Sequence, residues 1–321
     1  MNMEKSNYYS KYKKYKNKYL KLKRKTIKGG SSSIDKSYQD FFDKNFSILF
    51  QKIMEFNTNQ QNINSGTLFH IKGGASVKAK ALKYKKINNE ITNDIDILFI
   101  NEHYNYLNFI SQNPEAKDTI IQKNKENATI KINQFLEPIK SQFPGTWTIN
   151  VDRNLITIKY NNYGLFDITF YEREDMMSDF NHTLFGQAYN QFRQDNGLAV
   201  TDDPEEYIKN ILIKQKSDPS DWEEYAISNI FIEKYVAIKG LETYQQHIEN
   251  IPTWQKIAAN PNMLRDHTGQ INQKIWQRYV YQSTPEYIQK IRNKFQRYQI
   301  KLGIIEDIIE IELFGDISDS E

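Results

Sequence analysis

Residues 67–100 carry the pattern that most narrows what this chain can fold into: an apolar run, a double glycine, a lysine-rich stretch and a second apolar run interrupted by two carboxylates. TLFHIK (67–72) reads as a short strand, bounded by turn signals on both sides. Gly73 and Gly74 close it. ASVKAKALKYKK (75–86) has helical character, and DIDILFI (94–100) returns to strand. Side chains two apart in a strand point to the same side. Asp94 and Asp96 are therefore expected to project together, while Ile95, Ile97 and Phe99 face a core. Along the strand the two like charges stand about 6–7 Å apart. They repel one another, and a cation is their natural partner.

The rest of the chain supplies context. Phe41, Phe42, Phe46, Leu49, Phe50, Ile53 and Met54 recur at helical spacing between Tyr38 and Phe56. A polar helix is expected over roughly 116–141. TWTINV and LITIKY, joined through Asp152-Arg153-Asn154, read as a hairpin, and Asn161-Asn162-Tyr163-Gly164 as a further turn. LFDITFY (165–171) is a strand with a third apolar-flanked acid, Asp167. Beyond it every long segment has helical periodicity. The fold class is α+β: a mixed unit over 35–175, a helical unit over 176–314 and an acidic tail at 315–321.

Composition removes several kinds of chemistry. The 321 residues contain no cysteine, which excludes disulfides, thiol catalysis and cysteine-ligated zinc. The five histidines are scattered with no metal-ligand spacing. No run of about 18 apolar residues is present, so no membrane span is expected, and the basic N-terminus lacks the apolar segment of a secretory signal. The net charge of +3 conceals an asymmetry. Residues 1–28 hold eleven Lys/Arg and one acid, whereas the remainder holds 32 basic and 39 acidic residues. Within that arm Tyr8, Tyr12, Tyr15, Tyr19 and Leu22 follow a heptad spacing among lysines. The arm reads either as a contact for RNA, DNA or an acidic partner, or as a solvated tail or a packaging or targeting address. Residues 29–34, with GGSSS at their start, read as a flexible linker.

The paired acids suit a hard cation such as Mg²⁺, which takes oxygen ligands. With Asp167 brought alongside, three carboxylates can serve two such ions, the arrangement used in phosphoryl transfer. The double glycine is the complementary part. Glycine lets the backbone approach a phosphate closely, the helix N-terminus offers N–H groups and positive potential, and Ser76 adds a hydroxyl donor. Each feature alone has a plainer reading: a turn, a solvated strand end, a satisfied cap. Their order along the chain is what makes the set specific.

That order, as IKGGAS (71–76), NDIDILFI (93–100) and LFDITFY (165–171), resembles the DNA polymerase β-like nucleotidyltransferase superfamily. Within it the chain looks most like the poly(A) polymerase catalytic subunits of large cytoplasmic DNA viruses, whose AT-rich genomes suit the Lys/Asn/Ile-rich composition. The resemblance implies a mixed-sheet catalytic core followed by a helical substrate-binding domain. It places Gly73 and Gly74 on the nucleotide-phosphate turn, Asp94 and Asp96 on the two-metal ligands, and Asp167 on the third acid, which also helps activate the attacking hydroxyl. Gly74 stands where many members carry Ser, which leaves a phosphate-binding hydroxyl to Ser76. The implied activity is transfer of a nucleoside monophosphate from an NTP, ATP above all, to an RNA 3′ end, with two Mg²⁺ or Mn²⁺ ions. It belongs to mRNA processing in the host cytoplasm or the virion. Lys209, Lys214, Lys290, Arg292, Lys294 and Arg297 would then line an acceptor channel. The alternative is a non-catalytic viral structural or processivity protein that keeps the fold.

Overall fold

Phe42, Phe46, Leu49 and Ile53 fall on one side of helix α1 (Lys36–Asn57), and all four are buried. This helix opens the computed structural model, which describes residues 36–84, 92–101, 117–152, 155–169, 183–201, 205–267 and 269–314. The basic arm, the linker, the acidic tail and the Arg153-Asn154 turn lie outside the described residues. A short helix α2 (Gln60–Asn64) leads into strand β1 (Thr67–Lys72). Helix α3 (Gly73–Lys83) starts at once, and β2 (Ile95–Asn101) and the long helix α4 (Lys117–Gln142) follow. Strands β3 (Trp147–Asp152), β4 (Leu155–Tyr160) and β5 (Tyr163–Thr169) complete the sheet. Its order is β1-β2-β5-β4-β3; β2 and β5 run parallel and every other pair is antiparallel. The chain is α+β, as expected, and the hairpin is present with Thr148 opposite Lys159. The turn between β4 and β5 is confined to Asn161 and Asn162, both at positive φ. That is a two-residue hairpin turn of the kind asparagine tolerates, so Tyr163 and Gly164 already belong to β5.

The alternation along the strands gives the sheet two unlike faces. Phe69, Ile71, Ile95, Ile97, Phe99, Ile156, Ile158, Phe166 and Ile168 join α1 and α4 in one buried core. Lys78 of α3 reaches across to Asp43 of α1, and its ammonium lies 5.4 Å from the ring centres of both Phe42 and Phe46. On the other face Leu68, Leu98 and Ile100 pack against Ile211 and Leu212 of α6 (Glu205–Ser217), with Tyr225 and Ala226. α6 is preceded by α5 (Leu184–Asp195). His70 belongs to this second face. Its Nδ1 lies 2.7 Å from the Tyr225 carbonyl, which can only accept, so Nδ1 carries the proton and Nε2 accepts from the Tyr207 hydroxyl at 2.8 Å.

An edge strand must find partners for its outer backbone groups. β1 does so twice. The Asn57 side chain exchanges both hydrogen bonds with Phe69, at 2.7 and 2.9 Å. Residues 226–228 run beside Ile71, whose N–H donates to the Ala226 carbonyl and whose carbonyl accepts from Ser228 N–H.

Helices α7 (Ile230–Ala259), α8 (Gln273–Gln282) and α9 (Pro285–Phe314) complete the described chain. The described residues form two compact units: those within 36–239 together with 301–314, and those within 240–300. The boundary read from the sequence, after residue 175, is therefore displaced, because α6 supplies part of the core of the sheet unit. In the second unit Ile251, Trp254 and Ile291 form a small core with Tyr244, Ile248, Tyr279, Tyr287 and Ile288. Trp276 donates its indole N–H to the Ala258 carbonyl at 3.1 Å. No helix among the described residues is long and apolar enough to cross a membrane.

Candidate active site

The second face of the sheet is apolar at one end and charged at the other. Lys72, Asp96, Asp167 and Thr157 are register partners across four neighbouring strands, β1, β2, β5 and β4. Adjacent strands are about 4.8 Å apart, so Asp96 and Asp167 stand side by side on one face. Asp94 lies one residue before β2 rather than in its ladder. β1 ends at Lys72, opposite Asp96, where the chain turns into α3, and Ile95 is held in β2 by Phe166 of β5 alone. Thr92 Oγ1 lies 3.0 Å from Asp94 Oδ1 and 2.8 Å from its carbonyl.

The electrostatics bear out a concentration of negative charge. Burial pushes the Asp96 carboxyl up to about 6, and the charge of Asp94 adds to the rise. Lys72 opposes it, Asp167 raises it further and Lys301 opposes it again. One oxygen of Asp167, Oδ1, is buried with no hydrogen-bond partner. A buried carboxylate oxygen without a partner is costly, and with carboxylates beside it the donor set fits a hard divalent cation. Among the described residues, no three acidic or histidine side chains converge tightly enough to hold one ion together.

Gly73 stands directly over Asp96. Its φ is +71°, and a Cβ built on it would lie 2.8 Å from Asp96 Oδ2. Lys72, the residue before it, donates through Nζ to Thr169 Oγ1 at 3.2 Å. The Ser76 hydroxyl is buried and donates to the Gly73 carbonyl at 2.8 Å, so it holds the turn closed from within. The Gly73 N–H is also taken, by Glu233 Oε1 at 3.0 Å. Of the first-turn donors, the Gly74 N–H is the next along the chain and has no acceptor within the helix.

Several residues of the site were not legible as such. Tyr38, on the first turns of α1, donates between the Gly164 carbonyl at 2.6 Å and the Asn93 carbonyl at 3.0 Å. It thereby ties together the segments that lead into β5 and β2. Its ring stacks on Tyr163 with centres 4.5 Å apart. Burial raises the phenol well above its usual range, and the charges of Asp94 and Asp167 raise it further. Glu233 and Lys301, from α7 and α9, form a buried ion pair at 2.5 Å. Only Lys72 carried a sequence signal, its place just before the glycines. The basic residues expected to line a channel fall on two helices, Lys209 and Lys214 on α6 and Lys290, Arg292, Lys294 and Arg297 on α9. Lys214 pairs with Glu224 at 3.3 Å, and Lys290, Arg292 and Lys294 are exposed on α9.

Gly73→Ala is expected to lower stability by about 2 kcal/mol, since an L side chain at positive φ costs roughly 1–2 kcal/mol. The new methyl would displace the Asp96 carboxylate rather than backbone, so whatever Asp96 binds should be weakened beyond what the loss of stability explains. Thermal denaturation beside a titration with Mn²⁺ checks this.

No family model, no curated protein and no solved structure matches this chain.

Proposed function

We propose that the protein is a template-independent nucleotidyltransferase that adds nucleoside monophosphates, from ATP above all, to RNA 3′ ends in the manner of a poly(A) polymerase. The observation that carries this reading is the pairing of Asp96 with Asp167 on adjacent parallel strands, with Asp167 Oδ1 unpartnered and the Gly73 turn packed on Asp96. Asp94, Asp96 and Asp167 would hold two Mg²⁺ or Mn²⁺ ions. When bound, such ions offset the negative charge that gathers on the transferring phosphoryl group. The chain's own contribution is placement. The Gly74 N–H at the start of α3 binds phosphate, Ser76 keeps the turn closed, and Asp167 directs the RNA 3′ hydroxyl. The 3′ oxygen attacks the α-phosphorus, the bond from that phosphorus to the bridging oxygen breaks, and pyrophosphate leaves.

The test is extension of an end-labelled RNA oligonucleotide with each of the four NTPs in Mg²⁺ or Mn²⁺, beside the Asp94→Ala/Asp96→Ala variant. Ladders with ATP alone, absent in the variant, are the expected result. No extension together with metal-dependent NTP binding moves the acceptor away from RNA. Neither extension nor binding overturns the enzyme in favour of a non-catalytic scaffold.

A further inference from the structure

The Glu233–Lys301 pair is buried almost completely: Glu233 is 1% exposed and Lys301 4%. Taking two charges out of water is expensive, and an apolar pair of similar volume usually serves stability as well or better. Stability alone therefore does not account for it. Its position does. Asn229 caps α7, its Oδ1 accepting from the Phe231 N–H at 2.9 Å, and the preceding residues lie alongside Ile71. That places the first turn of α7 next to the end of β1. From there Glu233 Oε1 accepts the Gly73 N–H, while Oε2 is held by the Lys301 ammonium at 2.5 Å. Gly73 is thus fixed on two sides: its N–H is held by Glu233, and the Asp96 carboxylate stands where a side chain on it would be, 2.8 Å from the position of a Cβ.

We infer that Glu233 is a positioning residue of the nucleotide site: by holding the Gly73 N–H it fixes the Gly73–Gly74 turn and the place of Asp96 beneath it, with Lys301 locking the carboxylate in that pose. The inference rests on the nucleotidyltransferase reading above. Glu233 touches neither nucleotide nor metal on this account and acts only through Gly73. Lys301 makes a second contribution, since its charge opposes the rise in the Asp96 pKa.

Two double variants of the full-length protein separate positioning from plain structure. Glu233→Leu/Lys301→Met keeps an apolar pair of similar volume and removes the acceptor for Gly73. Glu233→Gln/Lys301→Met removes the charges and keeps a carbonyl oxygen in that place. The readout is the Kd of a fluorescent ATP analogue in Mn²⁺, with circular dichroism and thermal melting confirming the fold. The Leu/Met pair should weaken binding about tenfold, the worth of one hydrogen bond of roughly 1.4 kcal/mol. The Gln/Met pair should restore affinity to within about threefold of wild type. If the Leu/Met pair does not fold, Glu233→Asp makes the same comparison, because the shorter arm keeps a charge for Lys301 and withdraws from Gly73. A folded Leu/Met or Asp variant that binds the analogue as wild type does overturns the positioning role and leaves the enzyme reading standing. A wild type that binds no analogue in Mn²⁺ overturns both.

Discussion

Asp96→Asn should abolish the nucleotide transfer that we propose and at the same time raise the melting temperature of the metal-free protein. The two effects have one cause. Asp96 is buried beside Asp94 and Asp167, and its carboxyl is raised from 3.8 to about 6. The folded protein therefore holds a proton that the unfolded chain has lost between those values. A carboxyl with its folded pKa raised costs nothing below pH 3.8, where both states are protonated. The penalty grows as pH rises through the window and is complete above about 6. A rise of this size corresponds to roughly 3 kcal/mol between the two protonation states. Asparagine removes the charge and keeps the shape, so a gain of about 2 kcal/mol is expected at pH 7.5, or roughly 5 °C for a unit of this size. At pH 4 most of the gain should vanish. Transfer activity, which on our proposal needs the carboxylate as a metal ligand, should fall by at least about 10³. Melting curves at pH 4 and 7.5 beside an extension assay decide the matter. A variant no more stable than wild type at either pH would show that repulsion does not accumulate at Asp96.

The second large effect lies on the same face of the sheet, toward its apolar end. Burial lowers the His70 imidazole to about 4, against the partial restoring effect of the Tyr225 carbonyl. A histidine depressed in the folded state stabilises fully above its unfolded value of about 6.5 and loses that contribution as pH falls through 4. The loss amounts to roughly 3 kcal/mol. Acid also ends the acceptor role of Nε2 toward Tyr207, so the joint between β1 and α6 opens as the proton arrives. Urea midpoints across pH 4–7.5 should show wild type losing stability steadily below about 6.5. A His70→Gln variant should start lower and have a flatter profile. Equal slopes for the two proteins would assign the acid sensitivity elsewhere. The direction is opposite to that at Asp96, so the variants carry signatures that cannot be confused.

Much of this architecture was legible because local patterns agreed with one another. β1 was read as TLFHIK and occupies those residues. Helix α3 begins two residues earlier than expected, since Gly73 and Gly74 form its first turn instead of preceding it. The three acids were singled out because an apolar strand has no local reason to carry them. Less legible were the partners that the folded chain gives these residues. Asp94 was read as part of a strand face. It lies one residue before β2, yet close enough to Asp96 for its charge to raise that carboxyl. Ser76, expected as a phosphate donor, gives its hydroxyl to the Gly73 carbonyl in this structure. Tyr38 lies at the start of the amphipathic helix, as its spacing predicts, but that spacing says nothing of its hydroxyl. Its hydroxyl joins two segments that lie 55 and 126 residues away.

The amino-acid sequence by itself determined which residues alternate in and out of a sheet, where the helices start and stop, and which carboxylates stand among apolar neighbours. These are properties of short windows, set by periods of 2 and 3.6 residues and by turn chemistry. The tertiary structure alone decided that Asp167 would meet Asp96 rather than some other position on β2, and that Glu233 and Lys301 would meet at Gly73. Both outcomes follow from the parallel pairing of β2 with β5 and from the strand-like run of 226–228 beside β1. Such pairings are chosen by the burial of whole faces, in which every side chain of two elements contributes and no single window carries the answer.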